Sequence, residues 1–392
     1  MQFSDVGRSG WSSQCRWNPL TGRRALVALI ALRTSVCPLP ASAASLETDT
    51  IPTLSPWDST VNVRSWAGYK DNVLLGNVVK EDSPFIGAGL DLVILRLPTS
   101  GTEFSLFASG EYVHFSAAPS ADMEELLMAQ SQVKQDLGDA WTASMSVDYL
   151  YFDQIFDASA LDREAAIVRA QGHSLGTKLG LRKDLANGYW FSVEAGGSRQ
   201  QFKEFLDDYW EGGPVFTVTR DFNYKSGVGL SYEFRKRSHD TRSPRDLEGR
   251  LLEGTLEFYR HELMLDWRQH WGKAHRWRTV TKLGFERNFD NGSGYYDHFR
   301  PMLAEQIRYR APTWELKAEI KVSRYDYDLQ PVSDTDPAVR QKTGLAFTLR
   351  GEKELWKHVK LFSEFGHERS ISNLATDEYT VNTGFAGIDL EF

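Results

Sequence analysis

The stretch Trp314-Glu-Leu-Lys-Ala-Glu-Ile-Lys-Val322 alternates apolar and charged residues at every position. Successive side chains of a β-strand point to opposite faces, so the stretch predicts a strand with one apolar and one charged face. The same period of two runs through 141–151 and 224–235. A sheet built from such strands presents an apolar surface on one side and a polar surface on the other.

Outward from this stretch, the alternation divides the chain into sixteen strands. Longer connections of 7–13 residues alternate with short connections of 2–6 residues. This alternation puts the longer loops at one end of an antiparallel up-and-down sheet, as in a membrane-spanning barrel. The predicted strands are 61–70, 84–98, 101–115, 123–137, 140–152, 164–184, 188–202, 211–220, 224–236, 249–270, 275–289, 298–310, 313–326, 339–350, 357–369 and 378–392.

Two predicted strands leave the strand number open. The strand 249–270 is too long, and its apolar face changes parity near Arg260 and His261, which predicts a bulge or a hidden turn. The strand 211–220 is short and begins with glycines. Counts of fourteen or eighteen strands therefore stay open beside sixteen.

The amino-terminal segment has the features of a secretory signal peptide. Arg23 and Arg24 precede the apolar run 25–32, and Ala41-Ser-Ala43 supplies a small-residue cleavage site. We expect a signal peptide at 1–43, a flexible periplasmic lead-in at 44–60 and a barrel at 61–392. Cys15 and Cys37 both lie in the signal segment, so the mature chain is expected to lack thiol chemistry.

Composition narrows the functional classes. The formal net charge is −8, and removal of the basic signal segment makes the mature chain more acidic, which argues against nucleic acid as a partner. No apolar run beyond the signal is long enough for a transmembrane helix. Aromatic residues make up 12% of the chain, as suits strands that carry aromatic belts at membrane interfaces.

The chain ends in Phe392, which shares one face with Ile388 and Leu390. In this respect the chain resembles a Gram-negative outer-membrane β-barrel protein of the porin-like kind. The resemblance implies an all-β, transmembrane, antiparallel up-and-down barrel in the cell outer membrane. It also implies that the barrel-assembly machinery recognises the terminal strand through these three residues. Tyr379, Val381 and Phe385 lie in the other register, which predicts a bulge or register change.

The search for catalytic residues yields two weak candidates. His114 and Ser116 share a face at the top of a strand, a spacing in which a His can activate a Ser, and a His-x-Ser pair also occurs in an outer-membrane lipid A deacylase. The pairs 207–208 and 239–240 in outer loops resemble the acidic and His–Asp pairs of omptin proteases. Solvated polar residues are the better interpretation of both, so we expect no enzyme. An outer-membrane hydrolase stays the third alternative.

No cofactor or metal is expected either. Asp334 with Asp336, and the turn 290–294, offer oxygen ligands for a loop Ca²⁺, but such residues are also typical of solvated turns.

Charged residues on the polar faces of the strands point to a lumen. Sixteen strands enclose a water-filled space, whose charges would set selectivity. Arg276, Arg278 and Lys282 form a basic ladder on one strand, and we expect Glu286, Glu315 and Glu319 to oppose it across the pore. The predicted lumen-lining charges are Lys178, Arg182, Lys225, Glu233, Arg235, Arg276, Arg278, Lys282, Glu286, Glu315, Lys317, Glu319 and Lys321.

The leading functional hypothesis is a pore for passive or assisted passage of small polar solutes or a polymer. The second is a secretion or assembly barrel that acts with a periplasmic partner. We expect outer-membrane lipid to surround the protein in either case.

The location can be tested directly. We expect the mature protein to fractionate with the outer membrane and to shift its gel mobility on heating, because a closed barrel stays folded in unheated detergent. Fractionation followed by heated and unheated electrophoresis measures both properties. Recovery as a soluble periplasmic monomer would contradict the barrel.

Overall fold

The computed structural model describes residues 56–157, 167–203, 206–223, 225–272, 274–333 and 336–392. The predicted signal peptide at 1–43, with both cysteines, lies outside the described residues. Sixteen antiparallel strands close into one barrel, in the order of the sequence. The strands are β1 (Trp57–Lys70), β2 (Ser83–Thr99), β3 (Thr102–Phe115), β4 (Met123–Gly138), β5 (Trp141–Asp157), β6 (Ile167–Asp184), β7 (Tyr189–Phe202), β8 (Tyr209–Asn223), β9 (Ser226–His239), β10 (Glu257–Trp271), β11 (Trp277–Asp290), β12 (His298–Arg310), β13 (Trp314–Pro331), β14 (Val339–Trp356), β15 (Val359–Ser372) and β16 (Tyr379–Glu391).

The seam between the first and last strands closes the barrel. β1 pairs with β16 in continuous register from Asn62↔Glu391 to Lys70↔Thr383. Two further backbone hydrogen bonds join Val61 and Phe392, with N···O distances of 3.1 and 2.8 Å. A closed sheet has no free edge, so its backbone groups are satisfied within the barrel.

The connections differ in length at the two ends, as the sequence predicts. One end carries tight turns, of which Ser100–Gly101 is an example. Both residues have left-handed backbone, with φ of +61° and +79°, as in the primed turns that match strand twist. The other end carries longer connections, among them 71–82 and 240–256. Short 3₁₀ helices lie at Ala186–Gly188 and Ala375–Asp377.

The outer face is apolar at mid-height. Four leucines pair side by side across β9–β12 and are 37–47% exposed: Leu230, Leu265, Leu283 and Leu303. Exposed Trp277 and Trp314 lie at the end with tight turns, and exposed Tyr69 and Tyr112 lie near the other end. An apolar band between aromatic residues suits contact with lipid. None of the described helices is long and apolar enough to cross a membrane.

Several predicted strand limits need correction. β1 begins at Trp57, within the expected lead-in, and β8 runs longer than 211–220. The overlong strand 249–270 resolves into a loop, 240–256, followed by β10. The predicted bulge near Arg260 is wrong, because β10 pairs without interruption with β9 and β11. The parity change has another cause: Phe258 is buried on the inner face, beside the loop residue Leu256.

The predicted register change in the last strand is also wrong. β16 pairs continuously with both β15 and β1. Val381 and Phe385 lie on its inner face, where Phe385 packs against a buried cluster of aromatic residues. Ile388 and Phe392 are exposed on the outer face. Recognition of this face, with Leu390, by the assembly machinery stays a prediction.

The register of β9 generates a stability prediction. Leu230 faces outward at mid-height, and Ser231 beside it faces inward. We expect Leu230→Arg to cost about 2–4 kcal/mol of barrel stability, because lipid does not solvate the guanidinium. Ser231→Arg is the matched control and should cost much less. Urea denaturation in lipid vesicles measures both, and an equal or reversed order would contradict the register.

Candidate functional site

The inner wall of the barrel is the candidate site. The strand register puts eleven of the thirteen predicted lumen charges on the inward face: Lys178, Arg182, Glu233, Arg235, Arg278, Lys282, Glu286, Glu315, Lys317, Glu319 and Lys321. Lys225 and Arg276 lie instead in connections, because β9 begins at Ser226 and β11 at Trp277. The expected ladder on β11 therefore starts at Arg278.

A row of like charges crosses four neighbouring strands of this wall. Arg278 of β11 pairs directly with Arg308 of β12, Arg308 with Lys317 of β13, and Lys317 with Arg350 of β14. Like charges directly opposite each other in a sheet are destabilising. We name Arg278, Arg308, Lys317 and Arg350 the basic row. The sequence shows each residue on an inward face, but only the register shows that they are neighbours.

Acidic side chains neutralise the basic row only in part. Arg308 Nη2 lies 2.5 Å from Glu315 Oε2, and Lys317 Nζ lies 3.5 Å from Glu319 Oε2. Arg350 contacts two carboxylates, at 2.7 and 3.2 Å. Within the described residues Arg278 has no ion pair; its pairing neighbours, His270 and Arg308, are basic. The positive charge of the basic row is therefore least neutralised at Arg278 on β11.

The expected position of the opposing acids is wrong. Glu286 lies on β11 itself, and Glu315 and Glu319 lie on β13, so all three share the wall of the basic ladder. Glu286 binds Arg300 Nη2 at 2.7 Å. Other carboxylates face the basic wall from the opposite side. The inward charges of β1–β5 are Asp58, Asp91, Glu103, Glu111, Glu124, Asp136 and Asp148 against Arg64, Lys70 and Lys134.

The wall opposite has the reverse balance. On β10–β13 the inward cations are Arg260, Arg268, Arg278, Lys282, Arg300, Arg308, Arg310, Lys317 and Lys321, against Glu262, Asp266, Glu286, Asp290, Glu315 and Glu319. A net negative arc thus faces a net positive arc across the lumen. The low-dielectric wall of the barrel focuses the electric field of these charges into the lumen. Because the two arcs have opposite net charge, the field runs across the lumen.

The longer-loop end of the lumen is narrowed by the end of β5. Asp157, the last residue of β5, binds the ammonium of Lys342 on β14, nearly half the circumference away. Ile155 packs against the buried aromatic cluster. Beside this contact, Arg340 Nε donates to Asp377 at 2.8 Å and its Nη1 to Gln330 at 2.8 Å. The sequence gives no signal for such a contact between distant strands.

A cavity of about 220 Å³ lies in the lumen below this crossing. Both charged and aromatic side chains line it, from β1–β5 and β14–β16. The aromatic members occupy inward positions that otherwise hold polar residues. Phe385 in the unexpected register of β16 is the sequence signal that could have indicated them. The aromatic lining residues are Trp66, Phe85, Phe115, Phe362 and Phe385.

The first catalytic candidate does not form a pair. His114 is on the outward face of β3, and Ser116 follows the strand in a connection. Ser116 Oγ donates to the carbonyl of Pro84 at 3.2 Å. Its hydroxyl is therefore engaged with the backbone of the neighbouring strand.

The fold brings together the residues of the second candidate, 207–208 and 239–240, but these side chains bond groups that hold the loops in place. His239 Nδ1 lies 3.7 Å from Asp207 Oδ2, and the His239 ring is buried. Asp207 accepts the backbone N–H of Thr241 at 3.0 Å, which anchors the loop 240–256. Arg199 binds both Asp208 and Asp240, and its hydrogen bond holds the pKa of Asp240 below the usual value. The cluster ties two loops together.

Neither candidate calcium site is formed by the described residues. Asp290 Oδ1 accepts the backbone N–H groups of Gly292 and Gly294 at 2.7 and 3.0 Å, so it shapes its own turn. Asp334 lies outside the described residues. Among the residues that the structure describes, no cluster of His, Cys, Asp and Glu has the arrangement of a metal site.

No protein-family model and no curated protein sequence matches the chain. Solved structures resemble it: OccAB4 of Acinetobacter baumannii (TM-score 0.49, 10% identity, 86% of this chain and 98% of that chain), OccAB3 of the same species (0.48, 11%, 86% and 99%), and the anion-selective porin from Comamonas acidovorans (0.46, 12%, 86% and 99%). The closed sixteen-strand barrel and its apolar outer band are those of an outer-membrane protein.

The crossing of the lumen generates a proximity prediction. We expect Asp157→Cys with Lys342→Cys to be cross-linked by a short bis-maleimide in intact membranes, because these side chains meet across the barrel. The pair Asp157→Cys with Asn288→Cys is the matched control, since Asn288 lies on the inner face of β11. Mass spectrometry of the digested protein measures both. Equal cross-linking of the two pairs would contradict the crossing.

Proposed function

We propose that this protein is a channel through the outer membrane for small polar solutes, in which anions and cations move along opposite walls. The observation that carries the proposal is the basic row, which faces the carboxylate-rich wall of β1–β5. Stability does not explain the basic row, because its like charges lie in direct cross-strand register and repel each other.

The energetics favour a role in solute passage. Directly paired like charges cost free energy that an alternating pattern would avoid, as Glu286 and Arg300 show elsewhere on the same wall. Fixed charges on a pore wall raise the local concentration of counter-ions and set ion selectivity. Arg278, without an ion pair within the described chain, is the position where an anionic solute gains most.

The size limit comes from the longer-loop end. The contact between Asp157 and Lys342 crosses the lumen, and aromatic residues fill part of the space below it. The narrowing at this end favours small solutes over a folded polymer, and the pocket of about 220 Å³ below it is of small-molecule size. The proposal is therefore restricted to small solutes.

Selectivity is the direct test. We expect Arg278→Gln combined with Arg308→Gln to make the channel more cation-selective, because the second change also leaves the Glu315 carboxylate without Arg308. The reversal potential in a salt gradient across a planar bilayer measures this change. The shift should shrink as salt rises, since the Debye length falls from about 10 Å at 0.1 M to about 3 Å at 1 M.

Arg250→Gln is the matched control. Arg250 lies in the loop 240–256 and its side chain is 74% exposed, so the loss of one positive charge there should leave the reversal potential unchanged. Heat-dependent gel mobility verifies that each variant is folded. Absence of conductance in the folded wild-type protein would contradict the channel, and an equal shift in the control would contradict the basic row as its selectivity element.

A further inference from the structure

One side of the lumenal cavity is aromatic. The Phe85 ring lies with its centroid 5.6 Å from Phe115 and 6.1 Å from Phe385, and Phe362 lies 6.2 Å from Phe385. Trp66 lies flat against Gly87, where an added Cβ would stand 2.2 Å from the indole. This packing keeps the indole back against the wall and the cavity open. The surface suits an apolar or aromatic body.

The cations that line the cavity already have carboxylate partners. Arg64 Nη2 lies 3.2 Å from both Asp91 and Glu111. Lys70 Nζ lies 3.1 Å from Glu124 Oε1. Arg350 binds its two carboxylates as described above. An incoming anion would therefore have to break an existing ion pair to bind here.

Glu368 differs from these groups. It lies on the inner face of β15 and lines the cavity. Within the described residues its carboxylate has neither a hydrogen bond nor an ion pair, whereas Glu364 on the same face binds Arg350. Gly366 separates the two glutamates and places no side chain between them. The carboxylate thus faces the open volume with its acceptor capacity unused.

We propose that this cavity binds a small organic cation, with its ammonium at Glu368 and its apolar or aromatic body on the ring surface of Phe85 and Phe385. The site rests on the proposed channel for its access, while its chemistry rests on the cavity alone. A half-buried carboxylate without a partner gains free energy from a ligand that supplies both charge and hydrogen-bond donors. The aromatic faces add attraction to a cation.

The volume limits the ligand. Pockets for drug-sized ligands are roughly 300–1,000 Å³. About 220 Å³ suits a single ring with a short amine chain. Phenethylammonium is the probe of this size, phenylacetate is its anionic counterpart, and 2-phenylethanol is its neutral counterpart.

The experiment measures binding of the three probes to the folded full-length barrel in detergent by calorimetry. Wild-type protein should bind phenethylammonium and neither of the other two. Glu368→Gln keeps the shape and removes the charge, and should weaken binding by about tenfold or more. Glu354→Gln is the matched control. Glu354 lies on the inner face of β14 near the tight-turn end, away from the cavity, so this variant should bind phenethylammonium as the wild type does.

Four outcomes would overturn the site: no binding of phenethylammonium to wild type, equal binding of phenylacetate or of 2-phenylethanol, unchanged binding in Glu368→Gln, or equal loss in Glu354→Gln. Single-channel conductance in KCl, measured on the same preparations, separates this failure from failure of the channel. Conductance without amine binding contradicts only the site, and amine binding without conductance contradicts only the channel.

Discussion

Backbone hydrogen bonding across every strand boundary is the constraint on which the rest of this structure depends. In lipid, an unpaired N–H or C=O has no water to bind, so a sheet must close on itself. Here the closure depends on β1 and β16, with Val61 and Phe392 as its outermost hydrogen-bonded pair. Once every strand is paired on both sides, register is fixed, and each side chain is assigned to lipid or to the lumen by parity alone.

That assignment separates two kinds of chemistry. The outer leucines at mid-height are uniform because lipid is uniform. The inner face holds three kinds of side-chain arrangement. They are ion pairs such as Glu286 with Arg300, the partly neutralised basic row, and the aromatic rings around Phe385. Apolar residues are accommodated on the inner face because other inner side chains pack against them. A charged residue on the outer face would meet only lipid, which does not solvate it.

The sequence predicts the number and direction of the strands because lipid imposes a period of two that is visible in a single chain. The prediction fails at residues that do not contact lipid. Phe258 and Phe385 break the pattern because they pack inside, and each looks like a bulge when only the sequence is considered. The acids expected to oppose Arg278 were placed on the wrong wall, because face follows from parity but position around the circumference follows only from pairing. The partnership of Asp157 with Lys342 depends on how two strand ends lean, which no local pattern encodes.

The contact between Asp157 and Lys342 also has a mechanical consequence. A cylinder of sheet is stiff along its strands, but its cross-section flattens easily into an ellipse, because neighbouring strands hinge about their shared hydrogen bonds. An ion pair between points nearly half a circumference apart acts as a strut across the opening. The rim near this strut should keep a rounder outline under lateral membrane pressure than the end with tight turns, where the ion pair of Arg268 with Asp221 reaches only from β10 to β8.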